Sequence, residues 1–322
     1  MSAEATAYKT MKDIPKEELM ASGTPLCAGC GAQLALRLAL KALGPHTIVV
    51  NTPGCMALMA LYPYSSLRLP FLFTSFVATP ATAQGVVDAI EILRSKGVDL
   101  PADTKVLALT GDGAAYDIGL QSTSGTLSRQ LDYYYFVYDN EAYGNTGFQY
   151  SAATPYLSRT TTSEATPRIP GNTYWKKDIF EIWRAHGAPY IATVAASKPV
   201  DLLRKFEKAA KIKGPKLFLA LGVCPTGWGS DPQQTVKIDK LAVETGIWPL
   251  KESVYGEVRH TYIPSNLKPV EEYLKTQRRF SHLFYPVRRD DLLSVYQDRL
   301  HACWETLRRT ELGKYSSVFW AT

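Results

Sequence analysis

Six short runs of almost uninterrupted apolar residues, spaced along the chain with helix-patterned segments between them, limit what this sequence can fold into. They lie at 47–51, 71–76, 105–110, 133–138, 189–194 and 216–221. A strand with one wet face alternates apolar and polar residues; these do not, so both of their faces must be covered. The intervening segments at 33–43, 81–97, about 118–129, 177–186 and 200–211 carry apolar residues at helical spacing. Gly44-Pro45 and Gly97 stop the first two. The pattern predicts an α/β fold with a mostly parallel sheet and helices on both faces. We see no internal repeat and no low-complexity segment.

In such a sheet, ligands sit beyond the carboxyl ends of the strands. Two loops at those ends stand out. "GDGAAYDIGL" (111–120) places Asp112 between Gly111 and Gly113 directly after an apolar run. Glycines there let the backbone turn sharply and come close to a ligand. "YDNEAYGNTG" (138–147) follows the next run and offers the Asn140 side-chain oxygen. A helix and a strand fit between the two loops, so a βαβ unit brings them to one edge of the sheet. Asp112 and Asn140 can then share one Mg²⁺, which takes few protein oxygens and completes its shell with phosphate and water. Gly-Asp-Gly alone is also an ordinary turn; the pairing with Asn140 is what gives it weight.

Composition excludes several classes. At 46% hydrophobic and 20% charged residues, the 322-residue chain is globular. Its net charge of +6 is spread out, with no basic run interleaved with aromatics, so a nucleic-acid partner is not expected. The first 25 residues are polar and charged, and no apolar stretch reaches the ~18–20 residues of a membrane helix. A cytoplasmic protein without a membrane partner is expected. The 19 tyrosines, many of them in loops, suit packed interfaces or an aromatic core.

Of five cysteines, Cys27 and Cys30 form "CAGC", Cys55 lies in "TPGC" and Cys224 in "CPTGWG". An odd count in a cytoplasmic setting argues against a disulfide framework. Two thiolates on a short turn suit zinc or an iron–sulfur cluster. Zinc ribbons usually bring two such pairs, and Cys-Pro is common in cluster-binding runs, so the spacing favours iron–sulfur. Zinc and four unlinked buried thiols remain the other readings. Cys303 reads as a packing residue on an amphipathic helix near 290–309, whose apolar face comprises Leu292, Leu293, Tyr296, Leu300, Cys303, Trp304 and Leu307.

Gly-Asp-Gly followed after about 25 residues by Asx-Asn resembles the thiamine diphosphate motif of many enzymes, with Asp139 in place of the more usual asparagine. Together with "CAGCG", "GFQYSAATP", "WKKDI", "AHGAPYIATV", "CPTGWG" and "LAVETGIWPL", it closely resembles the β subunit of the 2-oxoacid:ferredoxin oxidoreductases, the pyruvate synthase group in particular. The resemblance runs from Cys27 to about Leu250. It implies that Asp112, Asn140 and the carbonyl of Ala142 hold Mg²⁺, and that Gly111, Gly113, Gly29, Cys30 and Gly31 border the cofactor. It further implies that Cys27, Cys30, Cys55 and Cys224 ligate one [4Fe–4S] cluster, and that Asn145 reaches the substrate and reactive carbon. The implied enzyme oxidatively decarboxylates a 2-oxoacid on thiamine diphosphate, or runs the reverse synthesis. It passes electrons singly to the cluster and hands the acyl group to coenzyme A. It is active only with partner subunits: an α subunit supplying the thiamine-activating glutamate, ferredoxin-like γ and δ subunits, and ferredoxin or a similar acceptor.

Pyruvate is the expected 2-oxoacid, with phenylglyoxylate, oxalate or a branched-chain acid as alternatives. A cluster-carrying electron-transfer subunit without an active site would have no need of the diphosphate loops. A zinc-stapled decarboxylase would lack visible absorption near 400 nm. Two segments depart from the α/β rhythm. Residues 150–176 form a Thr/Ser/Pro-rich stretch of a length that is usually functional or disordered. Residues 229–322 are expected to extend a 1–228 cofactor domain, either packing on it or docking a partner.

Overall fold

A computed structural model describes residues 6–166 and 168–309. The chain runs through helix α1 (Gly31–Leu43), strand β1 (Thr47–Asn51), a hairpin of β2 (Ala60–Leu61) and β3 (Tyr64–Ser65), β4 (Phe71–Phe73), α2 (Thr79–Ser95), β5 (Lys105–Gly111), α3 (Leu120–Leu127) and β6 (Tyr134–Asp139). It continues through α4 (Ile179–Ala185), β7 (Tyr190–Val194), α5 (Pro199–Ala209), β8 (Lys216–Leu221), α6 (Pro225–Trp228) and α7 (Thr235–Glu244). The last described elements are β9 (Leu250–Val254), β10 (Glu257–Tyr262), α8 (Val270–Leu274) and α9 (Asp290–Arg309).

Eight strands make one sheet in the order β10-β9-β7-β8-β6-β5-β1-β4. The pairings from β4 through β7 are all parallel; β9 joins β7 and β10 joins β9 antiparallel. The apolar runs now have their explanation. Successive residues of one strand enter opposite cores: Tyr135 and Val137 pack into one, Tyr134 and Phe136 into the other. With both faces covered, neither register position can be polar.

The structure departs from the sequence reading in three places. The strand expected over 71–76 ends at Phe73, because Ala78 N–H bonds back to Ser75 and turns the chain into α2. The helix expected from 118 begins earlier, as a wide i→i+5 turn over Gly113–Ile118 that precedes α3. Turns of this kind are often found at functional sites. Strands β9 and β10 were not legible, since the register of β9 carries buried Lys251 and Glu252, the latter accepting a hydrogen bond from Tyr190 Oη at 2.9 Å.

The segment after residue 228 therefore supplies two strands of the main sheet. Helix α9 packs on the same core through Leu293, Tyr296 and Leu300, with Leu292 and Cys303 half-buried and Trp304 buried; the Leu307 side chain lies outside the described residues. Among the described residues no helix is long and apolar enough to cross a membrane.

Candidate active site

Four adjacent strands end at the same edge of the sheet, and each feeds a loop with a distinctive side chain. Cys55 follows β1, Asp112 follows β5, Asn140 follows β6 and Cys224 follows β8. The registers Asn51↔Leu109, Gly111↔Tyr138 and Asp139↔Leu221 keep those strand ends level. Residues separated by up to 169 positions thus meet because parallel strands return the chain to one edge.

Asp112 is 1% exposed. Its Oδ2 accepts from Ser151 Oγ at 2.5 Å and its Oδ1 from the Asn140 backbone N–H at 3.3 Å. Burial first, and then the nearby Asp139 carboxylate, push its carboxyl well above the usual carboxylate range. One terminal atom of the Asn140 side-chain amide lies 2.8 Å from Asp112 Oδ1 and 2.7 Å from the Ala142 carbonyl oxygen. With nitrogen in that position, the amide donates to both. With oxygen there, acceptor oxygens stand at the separation found along an octahedral edge, an array that a cation can close. The residue types and spacing fit Mg²⁺. Gly111 and Gly113 serve close approach rather than a sharp turn: a Cβ on Gly113 would stand 2.4 Å from the Tyr143 ring.

A buried ladder of charges holds the Asn140 loop. Lys176 Nζ lies 2.7 Å from Asp139 and 3.3 Å from Glu141, and Arg279 Nη2 donates to Glu141 Oε2 at 2.5 Å. Tyr116 Oη donates to Asp139 at 2.6 Å. Trp228 Nε1 donates to the Asn140 carbonyl at 2.9 Å, and the Arg279 guanidinium stacks 4.0 Å over the Trp228 ring. Each charge in the ladder has an opposite partner, as burial demands. Asp139, the departure from the commonest motif, is thereby the anchor of Lys176.

Cys27, Cys30, Cys55 and Cys224 all line a cavity of about 1030 Å³. Cys30 and Cys224 sit at helix starts, where their sulfurs accept the N–H of Gln33 at 3.4 Å and of Gly227 at 3.3 Å. Burial, followed by the neighbouring thiols, pushes Cys30 to about 11 and Cys55 to about 12, so both are neutral thiols until a metal displaces the proton. Among the described residues, no three His, Cys, Asp or Glu close on a point as ligands of a single ion do. A second cavity of about 340 Å³ holds Asp112, Gly111, Gly113, Ala142 and Phe76. Cys55, Asn140, Gly144 and Asn145 line both cavities.

Residues 53–219, which contain both Asp112 and Asn140, match the family described as thiamine pyrophosphate enzyme, C-terminal TPP binding domain. The chain is 48% identical over 271 residues to pyruvate synthase subunit PorB of Methanocaldococcus jannaschii, covering 84% of this chain and 91% of that one. It belongs to the β-subunit family of the 2-oxoacid:ferredoxin oxidoreductases. Ketoisovalerate oxidoreductase subunit VorB of Pyrococcus abyssi is 39% identical over 302 residues, covering 92% and 94% of the two chains. In fold, this β subunit is similar to a 2-oxoglutarate:ferredoxin oxidoreductase from Magnetococcus marinus solved with 2-oxoglutarate, coenzyme A and succinyl-CoA bound. That match has a TM-score of 0.54 at 20% identity and covers 73% of this chain and 83% of that one.

Not every residue singled out in the sequence reaches a cavity wall of this β subunit. Gly29 and Gly31 do not: the Gly29 carbonyl accepts from Thr235 Oγ1 at 2.6 Å, and Gly31 N–H donates to the Val223 carbonyl at 2.9 Å. They dock the "CAGC" turn against the chain that follows β8. Ser151, Lys176, Trp228 and Arg279 belong to the site and were missed. Lys176 and Trp228 fall inside the quoted stretches "WKKDI" and "CPTGWG"; no local signal marks Arg279. The long 150–176 stretch is ordered in the described residues, with Asn172 Nδ2 donating to the carbonyls of Thr154, Pro155 and Tyr174 and Tyr156 stacking on Trp175 at 4.3 Å. It folds over the site and delivers Ser151 to Asp112.

The two loops touch at Gly227, where a Cβ would fall 2.2 Å from the Phe148 ring, itself held on a backbone at φ 65°. Gly227→Ala is therefore expected to wedge the Cys224 turn away from the Asn145 loop. The expected cost is ~1–3 kcal/mol in denaturant unfolding, the usual range for overpacking. Unchanged stability would show that the loops part freely.

Proposed function

We propose that this chain is the β subunit of a coenzyme A-acylating pyruvate:ferredoxin oxidoreductase, binding thiamine diphosphate through Mg²⁺ at Asp112, Asn140 and the Ala142 carbonyl. Cys27, Cys30, Cys55 and Cys224 hold one [4Fe–4S] cluster. The observation that carries this reading is the shared wall: the diphosphate loop and the four thiols line adjoining cavities with Cys55, Asn140, Gly144 and Asn145 common to both. An electron carrier has no use for the cavity beside Asp112, and a plain decarboxylase has none for the thiol cavity.

Thiamine diphosphate, when bound, supplies the nucleophilic carbon that attacks the 2-oxoacid and stabilises the charge left by CO₂ loss. The chain's own work is to position. Asp112 and Asn140 fix the phosphate end, Asn145 borders the space between cofactor and cluster, and Cys55 brings the cluster to the same wall. Four thiols spread around a cavity suit a cluster, in which each iron takes one thiolate, better than one zinc ion, which draws its ligands to ~2.3 Å.

The thiamine-activating glutamate is assigned to a partner α subunit. Asp112 and Glu164 are the carboxylates among the described residues lining the two cavities, and Glu141 is committed to Lys176 and Arg279. The exposed side chains of Tyr174 and Ile169 on the 150–176 segment suit that partner's interface. Ferredoxin-like γ and δ subunits and ferredoxin complete the electron path, in the cytoplasm. The similarity to a ketoisovalerate oxidoreductase subunit supports a second reading, the same machinery acting on branched-chain 2-oxoacids.

The test is cluster loading. Cys55→Ser should lose most of the bound iron and sulfide and the absorption near 400 nm that dithionite bleaches. Cys303→Ser, on α9 beside Trp304, should keep both. Full iron content in Cys55→Ser would overturn the ligand set. A panel of pyruvate and branched-chain 2-oxoacids with the native complex then decides between the substrates.

A further inference from the structure

Among the described residues, Arg279 is the one buried cation on the wall of the thiol cavity, at 3% exposure. It is held on several sides. Nε donates to Gln277 Oε1 at 2.8 Å, Nη2 donates to Glu141 Oε2 at 2.5 Å, and the guanidinium plane lies 4.0 Å over Trp228 and 4.9 Å from Phe280. Trp228 closes the turn that begins at Cys224, its N–H donating to the Cys224 carbonyl at 2.8 Å. The remaining nitrogen, Nη1, is buried and has no hydrogen-bond partner among the described residues. A guanidinium fixed by these four contacts cannot swing to find one, and a buried donor left unmade is unfavourable. Whatever fills the cavity therefore sits beside a full positive charge that cannot move away.

We propose that Arg279 is a tuning residue for the cluster: its positive charge, fixed at the cavity wall behind the Cys224 turn, makes the cluster easier to reduce. The inference rests on the four-thiol reading above. Reduction adds one electron and so one negative charge to the cluster. Hydrogen bonds to its sulfurs and nearby positive charge both favour the reduced form. The same guanidinium grips Glu141, beside the proposed Mg²⁺ ligand Asn140, and Trp228 bonds the Asn140 carbonyl. Arg279 therefore ties cluster electrostatics to the loop that holds the cofactor.

The experiment uses the full chain reconstituted anaerobically with iron and sulfide, with the midpoint potential followed by electron paramagnetic resonance during titration with dithionite. Arg279→Gln should retain its iron and sulfide. Its equilibrium constant for reduction should fall about tenfold, which for one electron is a potential ~59 mV more negative. Arg279→Lys keeps the charge but loses the fork, and should shift in the same direction by less. It also serves if the glutamine variant fails to load. Loaded variants with the parent's potential would overturn the role of Arg279 while leaving the cluster in place. A parent chain that takes up no cluster would overturn the four-thiol reading and this inference with it.

Discussion

Asp112→Ala is expected to lose thiamine diphosphate binding almost completely while keeping the cluster proposed at the four thiols. Asp112 is the only carboxylate among the described residues lining the smaller cavity, and it faces Asn140 and the Ala142 carbonyl. Removing an outer-shell partner of a bound metal typically costs ~10–100-fold in affinity, so losing a direct ligand should cost at least ~100-fold. The variant should fold. In the cofactor-free chain the Asp112 carboxyl is held above its unfolded pKa by burial and by Asp139. A group shifted that way costs stability at every pH above its unfolded value, so its removal is not destabilising at pH 7 on electrostatic grounds. Thermal unfolding with and without Mg²⁺ and thiamine diphosphate makes the test: the parent should gain stability from the pair and the variant should gain none. A variant that binds the cofactor as the parent does would remove Asp112 from the site.

The chain by itself is expected to show no 2-oxoacid-dependent dye reduction, even when loaded with cluster, Mg²⁺ and thiamine diphosphate. Activation of the thiamine ring needs a carboxylate at its aminopyrimidine. Among the described residues, the cavity next to Asp112 offers none besides Asp112 itself, and Glu141 is 5% exposed and bound to Lys176 and Arg279. Proton transfer of this kind contributes ~10²–10⁴-fold in ordinary cases, so turnover should lie at least that far below the complex. Adding the partner that carries the glutamate should restore it with no new cofactor. Robust viologen reduction by the isolated chain would place the activating group here and move the active site away from the subunit interface.

The residues that the sequence made legible are those whose chemistry is local. An aspartate between glycines at a strand end gains weight from an asparagine one βαβ unit later, and cysteines in glycine- and proline-containing turns stand out by their neighbours as candidate ligands. The uninterrupted apolar runs announced the parallel sheet, because only a strand covered on both faces tolerates them. Helix α9 was legible from its stripe, although the stripe could not say that Tyr296 meets Trp175 at 5.5 Å.

Charge burial is what the sequence could not express. Lys176, Glu141 and Arg279 look like surface residues, since an isolated buried charge is prohibitively costly and only a partner makes burial possible. Those partners are 138 positions apart in the case of Arg279 and Glu141. Buried Lys251 and Glu252 hid β9 for the same reason. The sequence by itself determined the parallel part of the sheet, the candidate ligands and the family. Only the tertiary structure decided that Gly29 and Gly31 brace a turn instead of lining the site, and that the chain beyond residue 228 completes the sheet. It also carries one arginine from that distant segment to the wall of the thiol cavity, because side-chain pairing across a fold depends on where the chain returns and not on its local pattern.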